Sequence, residues 1–167
     1  VATSDVADFL RDVRIFQAFS EADLAAVARA LRERTLRKGH VLLREGEQGE
    51  EMFLVRRGVV VVSKAVTGPV EQVLARMGPG NFFGEMSLFD REPRSATIQA
   101  DADEDVTLLV LDRASLEALI ESNPRAAASF FHALVQVFIE RLRASTDLVA
   151  EVTRWGLEAT GLDIDSR

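Results

Sequence analysis

The chain has 167 residues, 47% of them apolar and 28% charged, which fits one globular domain able to bury about 70% of its unfolded surface and excludes disorder or a fibrous repeat. Its 27 acidic residues against 20 basic ones leave a net charge of −7, which argues against a surface built to neutralise a run of phosphates but leaves room for a single anion site. The absence of cysteine excludes disulfides, cysteine-held zinc, iron–sulfur clusters and thiol nucleophiles.

The first elements in chain order are helices, one near Ser4 to Val13 and a second opened by Ser20-Glu21-Ala22-Asp23. Leu24, Val27, Ala28 and Leu31 then recur at helical spacing, which makes residues 1–34 an α-helical lead-in. From Thr35 to Leu111 the period changes to two, with glycine or Gly-Pro punctuation every ten residues or so, as in a β sandwich or barrel. Strands are predicted around Val41–Arg44, Met52–Arg57, Val59–Lys64, Val70–Met77, Ala96–Ala100 and Val106–Leu111, with a turn at Thr67-Gly68-Pro69 between the third and fourth. Helical spacing returns after Leu111: Asp112 caps a short helix through Leu116, Leu119 and Ile120, and Asn123-Pro124 opens a long one.

Unbroken to Trp155, that last helix is about 48 Å long, more than a domain of this size needs for its own packing. Positions 131, 134, 138, 141, 145, 148, 152 and 155 keep the three-four spacing of a coiled-coil seam, and six of these eight are apolar. A helix pair in a homodimer is the favoured reading of the stripe, with Arg141 and Ser145 interrupting it. Gly156 reads as the stop of a hinge, lid and helix region over 112–156, and 157–167 as an acidic tail. No linker composition separates a second domain.

The chemistry concentrates in residues 82–97, where a segment of helical character interrupts the β pattern. Gly84 permits a tight turn, so that N–H groups of the next turn can face an anion. Arg94, held by Pro93 at the start of a strand, offers a planar fork suited to phosphate oxygens, and Ser95 adds a hydroxyl. Glu85 can accept from a sugar hydroxyl or pair with an arginine. Alone, Arg94 reads as a surface ion pair with Glu85 or Glu92; within the segment, one anion cradle beside one hydroxyl acceptor suits a small phosphorylated sugar.

Phe-Gly-Glu-x-Ser-Leu over Phe83–Leu88, followed by Pro93-Arg94-Ser95-Ala96-Thr97, resembles the phosphate-binding cassette of cyclic nucleotide-binding domains. Glu45-Gly46-Glu47-Gln48-Gly49-Glu50, the following Met52–Val55 and Gly58 also resemble that family's early strands, and the likeness covers roughly Phe9 to Trp155. The resemblance implies an eight-stranded β roll, of the double-stranded β-helix or jelly-roll kind, with N-terminal helices and a C-terminal helix closing over the base. It implies that Glu85 and the Gly84 backbone take the ribose 2′-hydroxyl and that Arg94 takes the cyclic phosphate of cAMP or cGMP. Ser95 and backbone N–H groups near Met86, Ser87 and Ala96 assist. Phe130, Phe131 and Leu134 are the lid candidates, and Val62, Leu74 and Phe83 the base-pocket candidates, with core packing the plainer reading of Val62 and Leu74.

The resulting expectation is a regulatory sensor, not an enzyme. Glu85 has no partner carboxylate, metal cluster or nucleophile in the sequence, and two scattered histidines, His40 and His132, cannot build a cupin-type metal site. A ligand-free interaction module, or the effector domain of a transcription regulator, is the alternative. About a dozen residues follow Trp155, too few for a winged helix-turn-helix, so this chain itself is not expected to bind DNA, although a fused or separate effector is expected. Without 18 consecutive apolar residues or a signal-like start, no membrane span is predicted and a cytoplasmic setting is expected. The chain opens at Val1 rather than methionine, as a trimmed chain or a piece of a longer protein would.

Overall fold

The computed structural model describes residues 3–67, 70–90 and 92–159. Helices α1 (Thr3–Asp12) and α2 (Glu21–Ala30) form the lead-in, separated by a 3-10 turn at Arg14–Phe16. Ser20 caps α2 as its sequence predicts, its hydroxyl accepting from the Asp23 amide at 3.2 Å. Arg11 forks onto Glu21 at 3.0 and 2.7 Å and ties the two helices together.

Eight strands follow: β1 (Arg32–Leu36), β2 (Val41–Leu43), β3 (Glu51–Arg57), β4 (Val60–Thr67), β5 (Val70–Met77), β6 (Phe82–Phe83), β7 (Thr97–Ala100) and β8 (Val106–Asp112). They make two antiparallel four-stranded sheets, ordered β1-β8-β3-β6 and β2-β7-β4-β5. This is the eight-stranded roll with flanking helices that the cassette resemblance implies. Phe53, Val60, Ile98, Leu108 and Val110 fill the space between the sheets, where alternation sends every second side chain inward. In β7 the alternation is as read: Ile98 and Ala100 are buried, whereas Gln99 is exposed.

Two strands lie outside the expected set. β1, Arg-Glu-Arg-Thr-Leu, falls largely within the stretch assigned to the helical lead-in; four of its five residues are exposed, and it forms on the edge of its sheet by pairing with β8. β6 has only two residues, too few to show a period. Of the predicted Thr67-Gly68-Pro69 turn, Gly68 and Pro69 lie outside the described residues.

After β8, Asp112 caps α3 (Arg113–Ser122) by accepting from the Ser115 amide at 2.8 Å, and Asn123 caps α4 (Pro124–Ala159) by accepting from the Ala126 amide at 3.1 Å. α4 runs 36 residues, about 54 Å, and passes through Gly156 rather than stopping there. One glycine costs a helix interior only about 1 kcal/mol relative to alanine, and Leu157 to Ala159 continue the helical hydrogen bonding. Of the predicted acidic tail, 160–167 lies outside the described residues. The chain forms two compact units, one ending at Ser129 and the other beginning at Phe130. No helix among the described residues is long and apolar enough to cross a membrane.

Candidate ligand-binding site

Between β6 and β7 the backbone turns sharply. Gly84 sits at φ +75°, the left-handed region that glycine enters without steric cost, and caps a 3-10 turn over Glu85–Leu88. The chain then returns to the sheet at Pro93-Arg94-Ser95. Arg94 is zipped to the loop before β3: its amide donates to Glu47 O and its carbonyl accepts from the Gly46 amide, both at 2.8 Å.

That backbone placement turns the Arg94 side chain inward. Arg94 is 5% exposed, so it is not the surface ion pair that an isolated arginine suggests. Its Nη1 donates to Glu51 O at 2.9 Å, Ser87 Oγ at 3.1 Å and Gly84 O at 3.3 Å, while the guanidinium lies 5.9 Å from the centre of the Phe53 ring. No ion pair of Arg94 occurs among the described residues, and its buried Nε has no hydrogen-bond partner there. Burial pushes this guanidinium below its ordinary pKa, and the nearby charge of Glu51 offsets part of that shift. A buried cation held only by neutral oxygens is incompletely compensated, and an anion is the group that would complete it.

Two glycines make the space. A Cβ on Gly49 would run into the Arg94 guanidinium, and one on Gly84 would lie 2.7 Å from Nη1 and 2.9 Å from Glu51 O. Beneath them, Phe53 stacks on Phe83 with ring centres 5.4 Å apart, which roots the site in the core.

The structure brings Gly84, Glu85, Ser87 and Arg94 to one place, with Glu85 and Ser87 each 4% exposed. Met86 faces outward at 55% exposure. Ser95 is exposed, and Ala96 packs against the core at the entry to β7. Of the base-pocket candidates, Val62 and Phe83 belong to the core cluster, whereas Leu74 on β5 is half exposed. The lid candidates lie on α4 in the second unit, Phe130 and Leu134 buried and Phe131 half-buried. Sequence reading did not assign roles to Gly49, the Glu51 carbonyl or Phe53. Only the repeated glycines of Gly46-Glu47-Gln48-Gly49 signalled a close backbone approach. Among the described residues, no group of three or more His, Asp or Glu side chains could hold a metal ion.

Residues 33–123, more than half of the chain, match the family model described as the cyclic nucleotide-binding domain. The chain is 43% identical over 129 residues to a cyclic nucleotide-gated potassium channel of Mesorhizobium japonicum, an alignment covering 74% of this chain and 34% of the channel. It is 28% identical over 145 residues to a CRP-like cAMP-activated global transcriptional regulator of Mycobacterium tuberculosis, covering 87% of this chain and 62% of the regulator. The crystal structure of a Thermus thermophilus catabolite activator protein superposes with a TM-score of 0.74 at 31% identity, over 83% of this chain and 62% of that one. The chain thus spans about a third of the channel and less than two thirds of either regulator.

Proposed function

The chain belongs to the cyclic nucleotide-binding domain family, and we propose that it binds cAMP or cGMP through Arg94 and reports occupancy through the helices that follow the roll. The observation that carries this reading is the buried Arg94 guanidinium, held by neutral oxygens and lacking a carboxylate partner among the described residues. A cyclic phosphate supplies the missing negative charge and acceptors for the planar fork. Ser95 and the N–H groups of Met86, Ser87 and Ala96 add to that cradle, while Glu85 and the Gly84 backbone take the ribose 2′-hydroxyl. For the base, Leu74 is the better candidate because its side chain is half exposed, whereas Val62 and Phe83 are taken up by the core.

The output follows from linkage: the nucleotide shifts the helices only as far as it binds one arrangement better than another. In this reading Phe130, Phe131 and Leu134 form the lid. A second copy of the chain covers the outer part of α4, where every residue from Ile139 to Gly156 is exposed, including Leu148, Val152 and Trp155 of the seam. Stripes of that length are normally covered. The domain acts in the cytoplasm, performs no catalysis and passes its signal to a fused or separate effector.

Titration calorimetry of the whole chain with cAMP and cGMP in parallel tests the proposal. Micromolar binding, about −8 kcal/mol, is expected, with the two dissociation constants ranking the bases. Arg94→Ala is expected to weaken binding by at least about 100-fold while the thermal transition remains cooperative, since a desolvated charge-assisted contact contributes several kcal/mol. No heat from folded, nucleotide-free protein would make the chain a ligand-free interaction module.

A further inference from the structure

The cassette turn is gripped by a second arginine, on the side that Arg94 does not reach. Arg113 is the first residue of α3, and its Nη2 donates to Ser87 O at 3.1 Å and to Asp90 O at 3.2 Å. Its backbone amide donates to Glu50 O at 3.0 Å, which pins the start of α3 to the residue just before β3, whose Glu51 carbonyl supports Arg94. Ser87 is therefore held twice, by Arg94 at its hydroxyl and by Arg113 at its carbonyl.

Other roles do not account for that placement. A cation in the first turn of a helix opposes the helix dipole, and the carboxylate at this end, the cap Asp112, is taken up by the Ser115 amide and Arg32 rather than by Arg113. The carboxylate partner, Glu50, lies 3.5 Å from Nε with its side chain 66% exposed, so water screens the pair. The two carbonyls are the contacts that fix the guanidinium. Within the turn, the carbonyls of Gly84 and Met86 accept backbone amides, those of Ser87, Phe89 and Asp90, which leaves Ser87 O for Arg113.

We propose that Arg113 is a positioning residue for the anion site: it holds the Glu85–Leu88 turn in register from the α3 side, so that Ser87 fixes the Arg94 fork. The proposal rests on the nucleotide-binding reading and extends it, because it ties the start of α3 to the turn whose Ser87 hydroxyl holds Arg94.

A double-mutant cycle on the whole chain tests it, with cAMP and cGMP as probes. Ser87→Ala is expected to weaken binding about fivefold and Arg113→Gln about tenfold, and the double variant about tenfold rather than their product, because both break one shared grip. Losses that multiply, or unchanged affinity in Arg113→Gln, overturn the proposal. Should Arg113→Gln not fold, Arg113→Lys replaces it; its stem ends short of the place of Nη2, which lengthens both contacts, and a loss of about threefold is expected.

Amide hydrogen exchange without nucleotide supplies an independent arm. In Arg113→Gln the Phe89 and Asp90 amides are expected to exchange about tenfold faster while the Val110 amide in the core does not change. Equal exchange at the turn overturns the grip. If the unaltered chain binds neither nucleotide, the functional reading falls and the exchange arm still decides the role of Arg113.

Discussion

The cassette end of the roll and the outer part of α4 solve opposite problems. Around Arg94 a charged side chain is buried among groups fixed by backbone hydrogen bonds, and substitution by a single methyl group at Gly49 is enough to collide with it. From Ile139 to Gly156 every residue of α4 is exposed, and Leu142, Leu148, Val149 and Trp155 are all at least 60% exposed. On the proposed reading the cassette takes an anion that completes its electrostatics and the outer helix takes the apolar face of a second copy. Ligand recognition then rests on a few rigid atoms, and association on a repeated pattern.

The sharpest way to break this contrast after Arg94→Ala is Gly49→Ala. The added methyl displaces the guanidinium without altering any charge, and a loss of about 30-fold in nucleotide affinity is expected from a contact geometry disturbed by about 1 Å. Calorimetry reads it; unchanged affinity would mean that Arg94 does not bind from the place where it stands. Next in size is the paired change Leu148→Glu with Trp155→Glu. Light scattering is expected to show the dimer mass falling to that of one chain, with affinity within about twofold of the parent, because like charges facing each other across a seam are repulsive. A monomer before the change, or a dimer after it, removes the second copy from the account.

The smallest effect lies at the start of α3. Asp112 is held below the usual carboxylate range by the Ser115 amide it accepts from, then by the Ser115 hydroxyl, with Arg32 adding to the shift. A carboxylate with a depressed folded value adds stability that is complete above its unfolded value, about 3.9, and disappears as pH falls through the folded one. Asp112→Asn keeps a capping oxygen, so a change of only a few tenths of a kcal/mol is expected at pH 7. Thermal melts between pH 2 and pH 5 should show a shallower acid limb in Asp112→Asn, and an unchanged slope would remove Asp112 from the acid response.

The cassette was legible because its residue types are unusual at their spacing: Gly84 for a left-handed turn, and Arg94 after Pro93. The roll was legible from the alternation in β7, from the continuous apolar runs of β3, β4 and β8, and from the glycine breaks that bound β2 and β5. β1 was hidden because pairing with β8, rather than the character of its own side chains, makes Arg32–Leu36 a strand. The course of α4 beyond Gly156 was hidden for a related reason: neighbouring helix turns outweigh one glycine. Gly49 and Arg113 were missed because each acts on a residue far along the chain, Arg94 and Ser87 respectively, and such closure has no local period.

The slot formed by Gly49 and Gly84 has a consequence for divergence. Gly49 is required only while the arginine lies against it, whereas Gly84 is held as glycine also by its φ of +75° and by the Glu51 carbonyl, and the arginine fits only while both lack a side chain. A lineage that gives up the anion releases positions 49 and 94 together, whereas one that retains it can change neither singly. Substitutions at 49 and 94 should therefore appear as a pair among descendants of this roll with Gly84 retained, and a sequence carrying the arginine with a bulkier residue at 49 marks a site in transition.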